Sequence, residues 1–315
     1  MRIRKIAVST IIALAAAMLM TAGALVQAQV IYDSTVSPLP GNLPSVGAEA
    51  YAFNELGDAV NFVGTARSPR AVTITMSSWG CQAGHWNTAD CVTTPGATFS
   101  IQIKLNIYNA GSPLPGSPVA STTQTFAIPY RPSRDNAHCT GGRWYEASSG
   151  TCFNGLANNI TFDLTSLNVV LPNSAVFGLV YNTTSFGPSP IGPSAPCFTS
   201  PGGCPYDSLN IALSPAVTVG SKPFFDTLYW NNFYASNYCD NGLDGTGTFR
   251  LDSRTSACWN DGAGTSYIPA AKFTAYTIAT TAAGCKNNGW QSLSRANGSS
   301  FKNQGDCIQY VNTGK

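Results

Sequence analysis

Charged side chains are scarce in this sequence. They make up 10% of its 315 residues, with 17 lysines and arginines against 15 aspartates and glutamates. No stretch gathers basic residues into a stripe that could neutralise phosphates, so nucleic acid is not an expected partner. No block of like charge indicates a disordered tail or a membrane-surface patch. Glutamate is rare, whereas glycine and proline number 30 and 20. This composition favours strands and turns over helices.

The common signatures of catalysis are also missing. There is no GxSxG elbow, no HExxH motif and no phosphate-binding loop. The only histidines, His85 and His138, lie in polar stretches close to cysteines. Ser299 and Lys302 match a Ser-x-x-Lys spacing, but they belong to a serine-rich tail. A Ser-His-Asp arrangement is recognised by geometry rather than by sequence, so we predict no catalytic residue.

A pair of carboxylates remains the alternative route to an enzyme. Glycoside hydrolysis places two carboxyl groups on either side of the scissile bond. The spacing does not select two among the candidates, which are Glu49, Glu55, Glu146, Asp207 and Asp226. A secreted polysaccharide-active hydrolase is therefore kept as the alternative function.

The one long apolar run lies at the beginning of the sequence. Residues 1–5 are basic, residues 6–25 carry no charge, and Ala28 completes a small-x-small cleavage pattern. An uncleaved membrane anchor is the alternative, since the run is just long enough to span a bilayer. Its alanine, glycine and threonine content favours cleavage. We predict a signal peptide at residues 1–28, a secreted or cell-surface product, and no transmembrane anchor after cleavage.

The ten cysteines fall into neighbouring couples after the export signal. An even number in an oxidising compartment indicates disulfide bonds. Zinc is the alternative, but zinc favours CxxC pairs or nearby histidines, and no CxxC occurs. Pairing between neighbours predicts five bridges: Cys81–Cys91, Cys139–Cys152, Cys197–Cys204, Cys239–Cys258 and Cys285–Cys307.

Alternation of apolar and polar residues is the strongest structural signal. Residues 101–107 read Ile-Gln-Ile-Lys-Leu-Asn-Ile, which is typical of a half-buried strand. Glycine- and proline-rich clusters separate further runs of this kind. The pattern predicts an all-β fold, an antiparallel β-sandwich of jelly-roll-like form with disulfide-stapled loops. We expect a linker at residues 29–39, the sandwich at 40–280 and a small disulfide-stapled module at 281–315.

Two stretches resemble known secreted proteins. The Cys285-Lys-x-x-Gly-Trp290 segment, followed by Phe301-Lys-Asn-Gln-Gly-x-Cys307, resembles a short C-terminal module of many secreted bacterial proteins. The longer part is similar to β-rich, actinobacterial-type secreted proteins of unknown function, through SSWGC at 77–81, IPYRPS at 128–133, CFNGLA at 152–157 and PYDSLN at 205–210. The resemblance implies export and a β-rich architecture, and it assigns no catalytic residue.

Two groups of side chains are candidate binding sites. Closely spaced carboxylate and amide oxygens beside glycines can bind Ca²⁺, and an Asx turn is the alternative. The predicted calcium ligands are Asp240, Asn241, Asp244 and Asp252. Aromatic faces can stack on sugar rings, and a core strand is the alternative for the run at 224–234. The predicted ligand-binding aromatics are Trp79, Trp86, Tyr229 and Trp230.

Taken as a whole, the sequence predicts a secreted, non-catalytic binding or surface-structural protein. Its expected partner is a glycan or a cell-envelope polymer, and Ca²⁺ is the one candidate cofactor.

The cleavage pattern generates a direct prediction. Mature protein is expected to begin at Gln29, because Ala28 is the small residue that signal peptidase would recognise. N-terminal sequencing of exported material checks this, and material that starts at Met1 would contradict it.

Overall fold

The computed structural model describes residues 27–192, 203–224, 227–252, 259 and 266–315. The predicted signal peptide therefore lies outside the described residues up to residue 26. The described part contains fifteen strands: β1 (Gln29–Asp33), β2 (Ser45–Gly47), β3 (Phe53–Asn61), β4 (Ser68–Ser78), β5 (Thr98–Asn109), β6 (Pro118–Pro129), β7 (Trp144–Glu146), β8 (Thr151–Phe153), β9 (Leu156–Asp163), β10 (Ser174–Tyr181), β11 (Leu209–Ser214), β12 (Tyr229–Asn232), β13 (Arg250–Leu251), β14 (Ile268–Pro269) and β15 (Ala271–Tyr276).

In the part of the chain that the structure describes, helices are few and short. Three are α-helical, α1 (Ala48–Tyr51), α2 (Ala282–Cys285) and α3 (Gln304–Thr313), and three are single 3-10 turns at Pro205–Ser208, Ala235–Asn237 and Gly289–Ser292. Among the described residues, no helix has the length and apolar character needed to cross a membrane.

Two antiparallel sheets form the body of the protein. The first has the order β1-β15-β4-β11-β14, with β2 also paired to β11 and β9 to β4. The second has the order β13-β12-β3-β10-β5-β6, and β7 and β8 form a separate hairpin. Residues from both large sheets share one buried hydrophobic cluster. The predicted antiparallel β-sandwich is thus confirmed.

Strand β5 shows how the sequence pattern produces this packing. Phe99, Ile101, Ile103 and Leu105 are buried, and the residues between them are exposed. Because side chains alternate between the faces of a strand, β5 presents an apolar face to the core and a polar face to solvent.

The stretch at residues 29–39, predicted as a linker, instead begins with a strand of the first sheet. β1 pairs with β15, with Val30 opposite Thr274 and Tyr32 opposite Phe273. Ile31 and Tyr32 are almost completely buried in the main core. The prediction was wrong for β1 because its three adjacent apolar residues, Val30, Ile31 and Tyr32, show no alternation that would indicate a strand.

The disulfide predictions are confirmed wherever both cysteines are described. Cys81–Cys91, Cys139–Cys152 and Cys285–Cys307 are bonded. Cys204 and Cys239 are also disulfide-bonded. Their predicted partners, Cys197 and Cys258, lie outside the described residues, so those two pairings stay predictions.

The C-terminal segment contains a second hydrophobic cluster. Cys285, Cys307 and Phe301 are buried there, and the side chains of Trp290, Leu293, Ile308, Tyr310 and Val311 pack against them. The guanidinium of Arg295 lies 4.6 Å from the centre of the Phe301 ring and 2.7 Å from Asp306. The Ser68 hydroxyl donates to the carbonyl of Ala296 at 2.6 Å, which joins the segment to β4.

Replacing both Cys285 and Cys307 with serine tests whether this cluster depends on its bridge. A disulfide closing a loop of this length contributes about 3 kcal/mol, a large share for so small a cluster. Limited proteolysis should therefore cut the C-terminal segment of the variant first and leave a folded sandwich. Simultaneous unfolding of both parts would show that the segment belongs to the main core.

Candidate functional site

A cleft opens at the end of the sandwich where β4 and β10 finish and β11 begins. Its volume is about 300 Å³. We call it the Trp79–Trp86 cleft, and its lining includes Glu49, Trp79, His85, Trp86, Asn87 and Asp207. Trp79 follows β4, Glu49 belongs to α1, and Asp207 lies in the 3-10 turn that leads into β11. Residues far apart in the sequence thus meet through the sheet that carries them.

The two tryptophans pack against each other on one wall of the cleft. Their ring centres are 4.7 Å apart and the ring planes are nearly perpendicular, at 89°. This edge-to-face arrangement is a favourable geometry for aromatic pairs. The indole NH of Trp79 donates to the Ser77 hydroxyl at 2.9 Å, and its backbone NH donates to the carbonyl of Ser208 at 2.8 Å. Trp86 keeps 37% of its surface exposed.

A short stapled loop holds Trp86 in place. The Cys81–Cys91 bridge closes the loop, and Ala83 pairs with Val92 across it. Gly84 has a φ of +70°, and a Cβ there would lie 2.4 Å from the carbonyl oxygen of Asp90. The turn therefore needs glycine at this position.

Two carboxylates line the cleft near the tryptophans. Oε2 of Glu49 accepts hydrogen bonds from the Thr183 hydroxyl at 2.7 Å and from the backbone NH of Ser185 at 3.2 Å. Oδ1 of Asp207 accepts from the backbone NH of Thr184 at 2.7 Å. The second oxygen, Oδ2, is buried and has no hydrogen-bond partner. Burial, and to a smaller extent the charge of Glu49, raises the pKa of Asp207.

His85 adds a second buried polar atom without a partner. Its backbone NH donates to Oδ1 of Asp90 at 2.7 Å, but its ring Nε2 makes no hydrogen bond. Within the described part of the chain, no hydrogen bond joins the His85 ring to the hydroxyl of Ser208 or to a carboxylate. The nucleophile–base contact that acyl transfer by a Ser-His-Asp triad requires is thus not formed. Unsatisfied buried polar groups are costly, so a hydroxyl-bearing ligand or water suits these atoms.

Of the four aromatics predicted to bind a ligand, only Trp79 and Trp86 come together in a cleft. Trp230 is 1% exposed and packs in the main core, and Tyr229 is fully buried beneath Phe249 and Leu251. The prediction was wrong for Tyr229 and Trp230, because each is buried in a hydrophobic cluster, Trp230 in the main core and Tyr229 in a second cluster, so both faces of β12 are covered. The core-strand alternative is correct for them.

Of the four predicted calcium ligands, Asp240 pairs with an arginine instead. Arg250, fully buried, lies 3.0 Å from Oδ2 of Asp240. The two oxygens of Asp252 accept from the backbone NH of Cys239 at 2.8 Å and from the indole NH of Trp259 at 2.6 Å. Asn241 and Asp244 are exposed on the turn. At Asp240 the guanidinium thus supplies the positive charge that the prediction assigned to Ca²⁺. Among the described residues, no three His, Cys, Asp or Glu side chains are grouped to hold a metal ion.

The other candidate carboxylates lie apart from the cleft. Glu55 is buried on the second sheet and accepts from Asn106 at 2.9 Å and Tyr108 at 3.1 Å. Glu146 accepts from Ser149, and Asp226 lies outside the described residues. The sequence does not indicate that Glu49 and Asp207 share a site, since more than 150 positions separate them. The one local indication of the cleft in the sequence is that His85 stands next to Trp86.

No protein-family model, curated protein sequence or solved structure matches this chain. The functional assignment therefore rests on the geometry and chemistry of the cleft.

Replacing Arg250 tests the interpretation of the acidic cluster. Arg250→Leu leaves Asp240 without its partner, and breaking a buried pair in this way typically costs about 3–5 kcal/mol. Asp244→Ala is the matched control, since an exposed substitution is expected to stay within about 0.5 kcal/mol. Denaturant unfolding measures both. A large loss in Asp244→Ala, reversed by Ca²⁺, would restore the metal interpretation.

Proposed function

We propose that this protein is a secreted carbohydrate-binding protein whose ligand is an extracellular or cell-envelope polysaccharide. The main observation in support of this proposal is the Trp79–Trp86 pair on the wall of a cleft that two carboxylates also line. Sugar rings have apolar CH faces and hydroxyl edges, so they need an aromatic surface together with hydrogen-bond acceptors. The cleft offers both within a single concave site.

The polar groups of the cleft suit hydroxyl ligands in particular. Oδ2 of Asp207 and Nε2 of His85 are both buried and both lack a partner. A sugar hydroxyl can donate to the carboxylate oxygen and accept from or donate to the imidazole, depending on its tautomer. Filling such positions gains affinity because the unpaired groups would otherwise stay desolvated.

The size of the cleft favours a short stretch of polymer. A volume of about 300 Å³ is at the lower end of the range of small-molecule sites, roughly 300–1,000 Å³. Binding would thus engage a few sugar units rather than a long chain. The disulfide-closed loop that carries Trp86 supports sugar binding at this side chain, since a rigid aromatic residue loses little conformational entropy on binding.

Export is part of the same proposal. The disulfide bonds fit an oxidising compartment. The basic start and the uncharged run at residues 6–25 support an export signal, and an exported protein would meet polysaccharides outside the cytoplasm.

A hydrolase acting on polysaccharide is the second candidate. The observation in its favour is that Glu49 and Asp207 line one cleft, where burial, and to a smaller extent the charge of Glu49, raises the pKa of Asp207. A raised pKa is what a general acid needs. Against this, Glu49 and Asp207 both anchor the backbone of residues 183–185, which is a structural role.

Substituting Trp86 tests the binding function. Trp86→Ala is expected to weaken binding to the recognised polysaccharide about tenfold, roughly 1.4 kcal/mol, because truncating an aromatic anchor removes its contact surface. The control is Tyr234→Ala, which removes a ring that is 58% exposed outside the cleft lining. A polysaccharide and glycan-array screen identifies the ligand, and calorimetry measures the affinities.

The outcomes separate the two candidates. Binding that survives in Trp86→Ala but falls in Tyr234→Ala would contradict the proposed site. Release of new reducing ends by the wild type, lost in Asp207→Asn while binding persists, would establish the hydrolase.

A further inference from the structure

An ion pair is buried in the main core, away from the cleft. Asp58 lies on β3 between Leu56 and Val60, on the face that contacts the first sheet. Its Oδ2 is 3.0 Å from Nζ of Lys222, and the two side chains are only 1% and 7% exposed. Removing two charges from water in this way is costly, and the mutual attraction repays the cost only with good geometry and further hydrogen bonds.

The Asp58 carboxylate makes few further hydrogen bonds that would offset this cost. Apart from the ammonium group of Lys222, Oδ2 of Asp58 has no hydrogen-bond partner among the described residues. Oδ1 accepts only the backbone NH of Ala59, at 2.8 Å. Burial raises the pKa of Asp58 to about 6 despite the neighbouring ammonium group. The Tyr32 hydroxyl is buried too, and the Asp58 charge contributes to raising its pKa.

The backbone is built to bring Lys222 to this place. Asn61 of β3 and Ser221 exchange backbone hydrogen bonds of 2.9 and 3.2 Å. Thr218 donates to the carbonyl of Asp33 on β1 at 2.8 Å. Gly220 has a φ of +82°, and a Cβ there would lie 2.6 Å from the carbonyl oxygen of Asn61. The segment 218–222 therefore crosses from the first sheet to the second and ends with its amine beside the Asp58 carboxyl.

We propose that Lys222 and Asp58 condense to an intramolecular isopeptide bond that joins β3 to the segment 218–222. The proposal is independent of the carbohydrate site. Such a bond converts two buried charges into one neutral amide, which removes the desolvation cost of both ions. It would add a permanent link between the two sheets of a protein already stapled by disulfides.

The reaction balances without an oxidant or a cofactor. Within the contact pair the ammonium group transfers one proton to the carboxylate, which gives a neutral amine and a neutral carboxylic acid. Nζ of Lys222 then attacks Cγ of Asp58, so a C–N bond forms. One carboxyl oxygen leaves with two protons as water, and one C–O bond breaks. A dry core favours the neutral forms that this step needs.

A second pair in the same protein is a natural control. Nζ of Lys272 lies 2.9 Å from Oδ2 of Asp33, a distance close to that of the buried pair. Its side chains are 34% and 14% exposed, so water solvates both charges. This pair should stay unlinked, because its charges are not removed from water and an amide bond would relieve little desolvation cost.

Mass spectrometry of the reduced, denatured full-length product tests the proposal. The wild type is expected to weigh one water less than its determined N-terminus and sequence require. Asp58→Ala and Lys222→Met should each show no such loss. A chymotryptic map should contain one branched peptide that joins Asp58 to Lys222, with the Asp33 and Lys272 peptides separate.

A wild-type protein of full mass, with unlinked Asp58 and Lys222 peptides, would overturn the proposal. If either variant fails to fold, the wild-type mass and the branched peptide decide the question by themselves.

Discussion

The burial of two apolar sheet faces against each other is the constraint on which the rest of the structure depends. The sequence is poor in charge and in helix formers, so it can hide its hydrophobic side chains only by alternating them along strands. Phe162, Phe177 and Phe273, from three different strands, share the resulting core. Once the sheets are packed, the ends of the strands are fixed, and the loops at these ends can hold side chains in defined places.

The cleft is a product of that arrangement. Trp79 follows β4 at one end of the sandwich, and the loop closed by the Cys81–Cys91 bridge places Trp86 against Trp79. The Tyr181 hydroxyl at the end of β10 donates to the carbonyl of Leu209 at 2.7 Å, which holds the two sheets together at the same end. Asp207 lies two residues before this carbonyl, so its carboxyl group is placed by the core as well as by its own turn.

Local pattern was enough to predict the sandwich, its β5 strand and the three bridges Cys81–Cys91, Cys139–Cys152 and Cys285–Cys307. Local pattern could not predict the role of residues that depends on contacts with residues distant in the sequence. Tyr229 and Trp230 have the composition of a sugar-binding surface, and only the packing on both faces of β12 shows that they are core. Asp240 and Asp252 have the spacing of cation ligands, yet Arg250 between them in the sequence turns inward and takes that role. Glu49 and Asp207 meet only because α1 and the 3-10 turn lie at the same end of the fold.

The central claim is that the Trp79–Trp86 cleft binds sugar. A crystal structure of the protein with an oligosaccharide fragment of its recognised polysaccharide tests this most directly. We expect a sugar ring against the exposed part of Trp86, with a hydroxyl donating to Oδ2 of Asp207. An oligosaccharide bound at another surface, with the cleft filled only by water, would contradict it.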